Sequence, residues 1–329
     1  MKVLVYYKIS PEGLQLLKQA GIDVVITGGE ISWVHDNWAS LEKIDESVRK
    51  EITVMIGSPM PVDERLTELL PNLKWIHSTH AGLSGDRELN WALVDKHGIG
   101  ITTSKIHSKA ISEMALAMIL SLYKKLPEFT LNKEKHIYSK APHANMLFGQ
   151  TALIVGTGHI GKEIGRKLKA GFDVNLIGIN SDGHGVEYYD ETYAMDSLAI
   201  LLPRADIVII SCALTPETKN LIDKNRFAVM KQSAIFINIA RGQIVVQEDL
   251  VCALKENKIA GAGLDVFETE PIPENDPIWD LKNVIITPHV SGLFSGYDES
   301  VIHLFLNNLP YFEKGILNQT TDYANIKRY

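Results

Sequence analysis

Cysteine is nearly absent: Cys212 and Cys252 are the only two among 329 residues. Two thiols build neither a disulfide framework nor a cysteine-ligated metal cluster, so no metal site is expected and a reducing cytosol suits the chain. Both lie in apolar stretches and read as core residues rather than nucleophiles. Long hydrophobic runs are missing as well, so no segment reaches the ~20 apolar residues that span a bilayer. Residues 1–7 read as a first strand and lack the longer apolar region and small-residue cleavage site of a signal peptide. A cytoplasmic protein without membrane contact is the expectation. There is no basic block either. Lys and Arg number 33 against 40 Asp and Glu, a formal net charge of −7. Nucleic acid has little to hold, and an anionic ligand needs a local cation of its own. No low-complexity tract or short tandem repeat breaks the chain.

What is present is the composition of a globular protein, 45% hydrophobic and 22% charged. The length favours two domains over one core. Strand-like and helix-like patterns alternate through the first hundred residues. Strands are read at 2–7, 23–27, 51–57 and 73–77, with helices at 11–20 and 63–70. A long helical pattern at 108–123 carries Ile111, Met114, Ala115, Met118, Ile119 and Leu122. It is apolar around much of its circumference and is expected to be buried between domains or subunits. Residues 139–144 read as loop. A second alternating series has strands at 151–155, 174–179, 207–211, 234–238, 261–266 and 284–287, then a helical run at 301–313. Several of these strands are apolar throughout, as in parallel sheets covered on both faces. The fold class is therefore α/β, two Rossmann-like domains with parallel sheets and an inter-domain cleft.

The densest signal is Leu153-Ile154-Val155-Gly156-Thr157-Gly158-His159-Ile160-Gly161. An apolar strand meets three glycines and continues into a helix. Gly156 permits the tight turn, Gly158 lets backbone approach a pyrophosphate, and Gly161 lets the helix lie close on the sheet. The N–H groups at the helix start then face an anion. The second series is thus a dinucleotide-binding domain.

Ligands of open parallel sheets bind outside the carboxyl ends of the strands. Three such ends carry Ile239-Ala240-Arg241-Gly242, Asp265-Val266-Phe267 with Glu270-Pro271, and Thr287-Pro288-His289. Taken singly, Arg241 is equally an ordinary surface arginine, Glu270 a solvated charge and His289 a capping or core histidine. Their joint placement on the glycine-loop edge favours chemistry. Hydride transfer needs a proton partner, which His supplies near neutral pH. A neighbouring carboxylate fixes its tautomer and favours its charged form. Arg grips a carboxylate with two hydrogen bonds. Asp265 reads as a helix cap or, preferably, a cofactor partner.

With these segments and Leu214-Thr215-Pro216-Glu217-Thr218, the chain resembles the D-isomer-specific 2-hydroxyacid dehydrogenases over nearly its whole length. The resemblance implies that Arg241 binds the 2-oxo acid, Glu270 orients His289, and His289 is the acid/base. It implies cofactor contacts at His159, Ile160, Asn180, Ser181, Cys212, Ala213, Thr218, Ile239, Ala240, Arg241, Asp265 and His289, besides the glycines. It also implies that backbone amides at Ala81 and Gly82 hold the substrate carboxylate. A homodimer with the 108–123 helix in its core is implied too. The substrate domain, flavodoxin-like, would be 1–102 plus 293–329 and the dinucleotide-binding Rossmann domain 103–292.

Two departures bear on ligands. The second strand of the cofactor domain ends in Asn180-Ser181 where NAD-preferring members carry Asp. That removes a charge that would repel a 2′-phosphate, but only His184 is at hand as a cation, so NADP(H) is favoured slightly over NAD(H). The loops Gly57-Ser58-Pro59-Met60-Pro61 and His77-Ser78-Thr79-His80-Ala81-Gly82 carry no Arg or Lys. Met60 and Leu83 suit a small or apolar substituent, which argues against a phosphorylated substrate. The expected activity is NAD(P)H-dependent reduction of a small 2-oxo acid such as glyoxylate, hydroxypyruvate or a branched-chain 2-oxo acid. The alternatives are a formate dehydrogenase, disfavoured by Glu270, and a dinucleotide-sensing corepressor-like binding protein on the same fold.

Overall fold

Strands that are apolar at every position must be covered on both faces, and the covering layers are visible in the alternation of individual side chains. The structure, a computed structural model, describes residues 1–27, 38–57, 62–80, 83 and 89–324. It divides into two units, one of Met1–His107 with Phe294–Tyr329, the other of Ser108–Leu293.

In the first unit the strands are β1 (Lys2–Tyr6), β2 (Asp23–Ile26), β3 (Ile52–Gly57), β4 (Trp75–Ser78) and β5 (Gly100–Thr102). They form one parallel sheet in the order β2-β1-β3-β4-β5, the flavodoxin-like order. Leu4 packs into the cluster on one face, and Val3 and Val5 into the cluster on the other, the period of two that a pleated strand dictates. The helix Pro11–Gln19 starts where Pro11 follows the Ser10 cap, whose hydroxyl accepts from the Gly13 N–H at 3.0 Å. The helix Tyr297–Glu313 covers the second face. Its Phe305 stacks on Trp75 with ring centroids 4.9 Å apart.

The second unit holds β6 (Thr151–Val155), β7 (Asn175–Asn180), β8 (Glu191–Ala194), β9 (Ile207–Ile210), β10 (Ile235–Asn238), β11 (Gly261–Leu264) and β12 (Val284–Ile286). Its parallel sheet runs β12-β11-β10-β9-β6-β7-β8. The strand order reverses between β6 and β9, the doubly wound arrangement whose ligands sit at that switch point. Leu153, Val155, Val208 and Ile210 face one core cluster, while Ala152, Ile154, Ile207 and Ile209 face the other.

Several expectations are corrected here. The short strands β5 and β8 are additional to those read in the sequence. The chain passes from the first unit to the second at His107/Ser108. Residues 103–107 stay with the first unit because Thr103 donates to the Asp322 carbonyl at 2.8 Å and Lys105 pairs with the Asp322 carboxylate at 2.8 Å. The helix His107–Tyr123 lays Ile111, Ala115, Met118, Ile119 and Leu122 into the core of its own second unit. Met118 fits there because Gly263 has no side chain; a Cβ at Gly263 would lie 2.8 Å from it. Cys252, expected in the core, is exposed: on the helix Gln247–Lys255 the inward stripe is Leu250, Val251, Ala253 and Leu254. Cys212 is partly buried against the core, and burial pushes its thiol up to about 12. Among the described residues no helix is long and apolar enough to cross a membrane.

The two thiols should therefore differ in reactivity, because the thiolate is the attacking species. In the native protein one equivalent, Cys252, reacts promptly with a thiol reagent, and Cys212 reacts only after denaturant is added. Two prompt equivalents would contradict the placement of Cys212.

Candidate active site

At the switch point, Gly156 leaves β6 with φ +98°, a conformation that favours glycine. A Cβ there would lie 2.5 Å from the Cys212 amide nitrogen, so the exits of β6 and β9 touch. Ser211 ties them further by donating to the Gly156 carbonyl at 2.6 Å. A Cβ on Gly161 would lie 2.0 Å from the Gly156 oxygen, so helix and turn are in contact. Gly158 is the cap of the helix His159–Phe172, with no side-chain hydrogen bond closing the helix start and nothing within 4 Å of where a Cβ would be. Open space above bare backbone at a helix N-terminus fits a pyrophosphate. Of the other expected cofactor residues on this edge, Thr218 secures its loop by donating to the Ala213 carbonyl at 2.7 Å.

Asn180, at the end of β7, turns its amide inward. It donates to Thr157 Oγ1 at 3.2 Å and to the His184 carbonyl at 2.9 Å, and accepts from the Gly183 N–H at 2.6 Å. It thus folds the 180–184 turn that begins with Ser181. His184, the expected partner of a 2′-phosphate, is paired with Asp182 at 2.5 Å, and that contact holds the Asp182 carboxyl below its usual range.

The triad comes from the ends of β10, β11 and β12. β10 closes on Asn238, a polar residue only 1% exposed. Its side chain donates to the Arg241 carbonyl at 3.0 Å and accepts from the Ala240 N–H at 3.1 Å, which shapes the turn through Ile239 and Ala240. Arg241 donates to the Ala240 carbonyl at 2.7 Å. The following Gly242 has no alternative: a Cβ would lie 1.8 Å from the Phe267 carbonyl carbon. That contact brings the Arg241 turn against the Glu270 loop.

Glu270 accepts from the Phe267 N–H at 2.9 Å with one oxygen and meets His289 Nδ1 at 2.7 Å with the other. Burial works to raise its pKa. The hydrogen bonds from His289 and Phe267 and the charges of His289 and Arg241 prevail, and the carboxyl lies below its usual range. His289 adopts φ +54°, uncommon for a residue with a side chain. Its N–H is held by the Asp265 carbonyl at 2.8 Å. Its ring is 47% exposed and Nε2 bonds no described residue, so the ring has one nitrogen fixed and one presented. Asp265, read as a helix cap or a cofactor partner, is wholly buried. Its carboxylate accepts from the Thr287 hydroxyl at 2.5 Å, the Val290 N–H at 3.0 Å and the Ser291 N–H at 3.1 Å. It acts on the His289 loop.

Arg241, Glu270 and His289 are therefore gathered on one edge. The expected substrate residues Met60, Ala81 and Gly82 lie outside the described residues. Sequence reading missed Asn238 and Gly242. The signal for the first was a polar residue closing an otherwise apolar strand. Gly242 gave none, since its role depends on a contact with Phe267.

Residues 116–291 match the family model described as D-isomer specific 2-hydroxyacid dehydrogenase, NAD binding domain. The chain is 32% identical over 324 residues to the glyoxylate reductase of Thermococcus onnurineus, covering 95% of this chain and 93% of that one. It is 30% identical over 316 residues to the glyoxylate reductase/hydroxypyruvate reductase of Homo sapiens, covering 94% of each. A D-isomer specific 2-hydroxyacid dehydrogenase family protein of Aeromonas salmonicida superposes with a TM-score of 0.81 at 26% identity over 98% of both chains. With a glycine turn at a doubly wound switch point and an Arg, Glu and His on the same edge, the chain belongs to the D-isomer-specific 2-hydroxyacid dehydrogenases and is an NAD(P)-dependent oxidoreductase.

Proposed function

We propose that this enzyme reduces a small unphosphorylated 2-oxo acid, of the glyoxylate or hydroxypyruvate class, to the D-2-hydroxy acid. The observation that carries the reading is the Glu270–His289 contact of 2.7 Å with Nε2 left for a substrate oxygen. The nicotinamide supplies the hydride. His289, as imidazolium, gives its Nε2 proton to the carbonyl oxygen, so that a hydroxyl forms and a neutral imidazole remains. Glu270 holds Nδ1 and balances the positive charge. Arg241 binds the substrate carboxylate and polarises the adjacent carbonyl. Gly156, Gly158, His159, Ile160 and Gly161 would hold the pyrophosphate. Both NADH and NADPH are accepted in this reading. The margin for NADPH rests on Asn180 bearing no charge, and the Asp182–His184 pair keeps it small. The test is turnover of a 2-oxo acid panel with each cofactor. Cofactor binding without turnover of any acid would refute the reading. In the same panel Arg241→Ala should lose about 3–5 kcal/mol of transition-state stabilisation with little change in cofactor affinity. Near-wild-type kcat/KM would remove Arg241 from the site.

The Glu270–His289 pair sets the pH dependence. Reduction needs the proton on His289 and oxidation needs neutral His289, so kcat/KM for the two directions should change in opposite senses with pH. Glu270, held below its usual range, remains an anion throughout. Glu270→Gln removes that charge and should lower kcat/KM for reduction while cofactor binding is kept. A folded variant with wild-type kcat/KM would show that the carboxylate does not serve the proton transfer.

We also propose a homodimer. Support comes from Leu126, Ile137, Tyr138, Met146 and Phe148, which are 49–100% exposed within one short stretch of the second unit. Sedimentation should give two chains for the wild type and one for the Tyr138→Asp/Phe148→Asp double variant. A monomeric wild type would contradict the proposal.

A further inference from the structure

The glycine turn is held by more than the strand and helix that it joins. Glycine gives a backbone its widest conformational freedom. A turn with glycine at 156, 158 and 161 therefore needs fixing from outside if its amides are to be set before a ligand arrives. The segment 180–190, which leads from the last residue of β7 to β8, supplies that fixing with two side chains, all within the second unit.

Asn180 supplies the first. Its Nδ2 donates to Thr157 Oγ1 at 3.2 Å. Thr157 stands between Gly156 and Gly158 and is largely buried. Its methyl group packs on β7, where a Cβ on Gly178 would lie 2.7 Å from it. Both branches of the Thr157 side chain are thus held toward β7. The Asn180 amide has little left for a ligand, because Nδ2 also donates to the His184 carbonyl and Oδ1 accepts from the Gly183 N–H.

Tyr189 supplies the second. Its hydroxyl donates at 2.7 Å to the carbonyl of Gly161, in the first turn of the helix His159–Phe172. Its ring fills a slot that exists because two side chains are missing. A Cβ on Gly165 would lie 2.9 Å from the ring, and one on Gly178 2.8 Å. Burial raises the pKa of the hydroxyl, so it stays a donor. The end of the segment is pinned as well. The Asp190 carboxylate accepts from the Leu176 N–H at 2.7 Å and pairs with Lys169 of the same helix at 2.7 Å.

We propose that Asn180 and Tyr189 are positioning residues for dinucleotide binding, which clasp the glycine turn at Thr157 and Gly161 and keep its amides set for a pyrophosphate. This rests on the reading that residues 156–161 hold that group. Asn180 then serves what NADH and NADPH share, not the 2′-phosphate by which they differ. Neither residue takes part in hydride or proton transfer.

The experiment measures dissociation constants of NADH and NADPH by fluorescence, and those of ADP-ribose and adenosine by displacement of NADH. Tyr189→Phe and Asn180→Ala should each weaken NADH, NADPH and ADP-ribose roughly five- to tenfold, the effect of one lost hydrogen bond, with the NADPH/NADH ratio kept within about twofold. Thr157→Val keeps the shape of the side chain but removes the acceptor, and should match Asn180→Ala. Thr157→Ser keeps the acceptor and should recover most of the loss. Thr157→Val combined with Asn180→Ala should cost less than the product of the single effects, because both break one contact. Unchanged ADP-ribose affinity in Tyr189→Phe and Thr157→Val overturns the inference. So does an equal loss in Thr157→Ser and Thr157→Val, which would mean a general loosening of the unit. A NADPH/NADH ratio that shifts in Asn180→Ala would place Asn180 at the ribose and overturn its part in the clasp. The wild type separates the two levels. If it binds ADP-ribose no better than adenosine, the pyrophosphate reading itself falls; if it binds ADP-ribose far better and the variants match it, only the present inference falls.

Discussion

The Asp265 side chain is wholly buried, yet it is surrounded by donors rather than by apolar atoms. A carboxylate in that position is costly unless hydrogen bonds satisfy it. Here one hydroxyl and two backbone N–H groups converge on it, all from residues 287–291, and its own carbonyl receives the His289 N–H. The loop can meet these demands in few conformations. One of them places His289 at φ +54°, a backbone state that costs an L-residue about 1 kcal/mol or more and persists only where neighbours over-determine it. The imidazole is therefore aimed by a group it does not touch through its ring. Glu270 then needs only to fix Nδ1.

A second constraint is the lack of side chains at Gly242 and Gly156. Each is pressed on the backbone leaving a neighbouring strand, Gly242 on Phe267 and Gly156 on Cys212. Parallel strands deliver their carboxyl ends to one edge, but spacing alone leaves room between them. These two contacts close that room, which is why residues distant in sequence share one electrostatic environment. Glu270 reports the effect directly, since the Arg241 charge helps to keep it ionised.

How much of this was legible in the sequence follows from what each element depends on. β6 and β9 to β12 could be read because runs such as Ile207-Val208-Ile209-Ile210 are apolar without interruption. β8, Glu191-Thr192-Tyr193-Ala194, is a half-exposed edge strand with no such run, and β5 has only three residues. Arg241, Glu270 and His289 were legible as residues following strands on a common edge. What Asp265 and Asn180 do for their own loops was not, because the partners of each side chain, Thr287, Val290 and Ser291 for the first and Thr157, Gly183 and His184 for the second, are ones that local sequence does not reveal. Cys252 was misplaced for a simpler reason: the stretch is apolar, but one face of a helix still looks outward.

The division of the chain also fixes the order in which its parts can be completed during synthesis. The second unit, Ser108–Leu293, is continuous, so all of its strands are synthesised before the segment from Phe294 onward. The first unit is not continuous. Val3, Val5, Val54, Ile56 and Trp75 share one core cluster with Leu17 of the helix Pro11–Gln19 and with Val301, Ile302 and Phe305 of the helix Tyr297–Glu313. Until that second helix is made, the face is covered only in part. A nascent chain of this protein therefore carries a half-covered, adhesive sheet through the synthesis of the whole second unit. Protection by a chaperone would fall on that sheet, and the helix Tyr297–Glu313 is the one that ends the need.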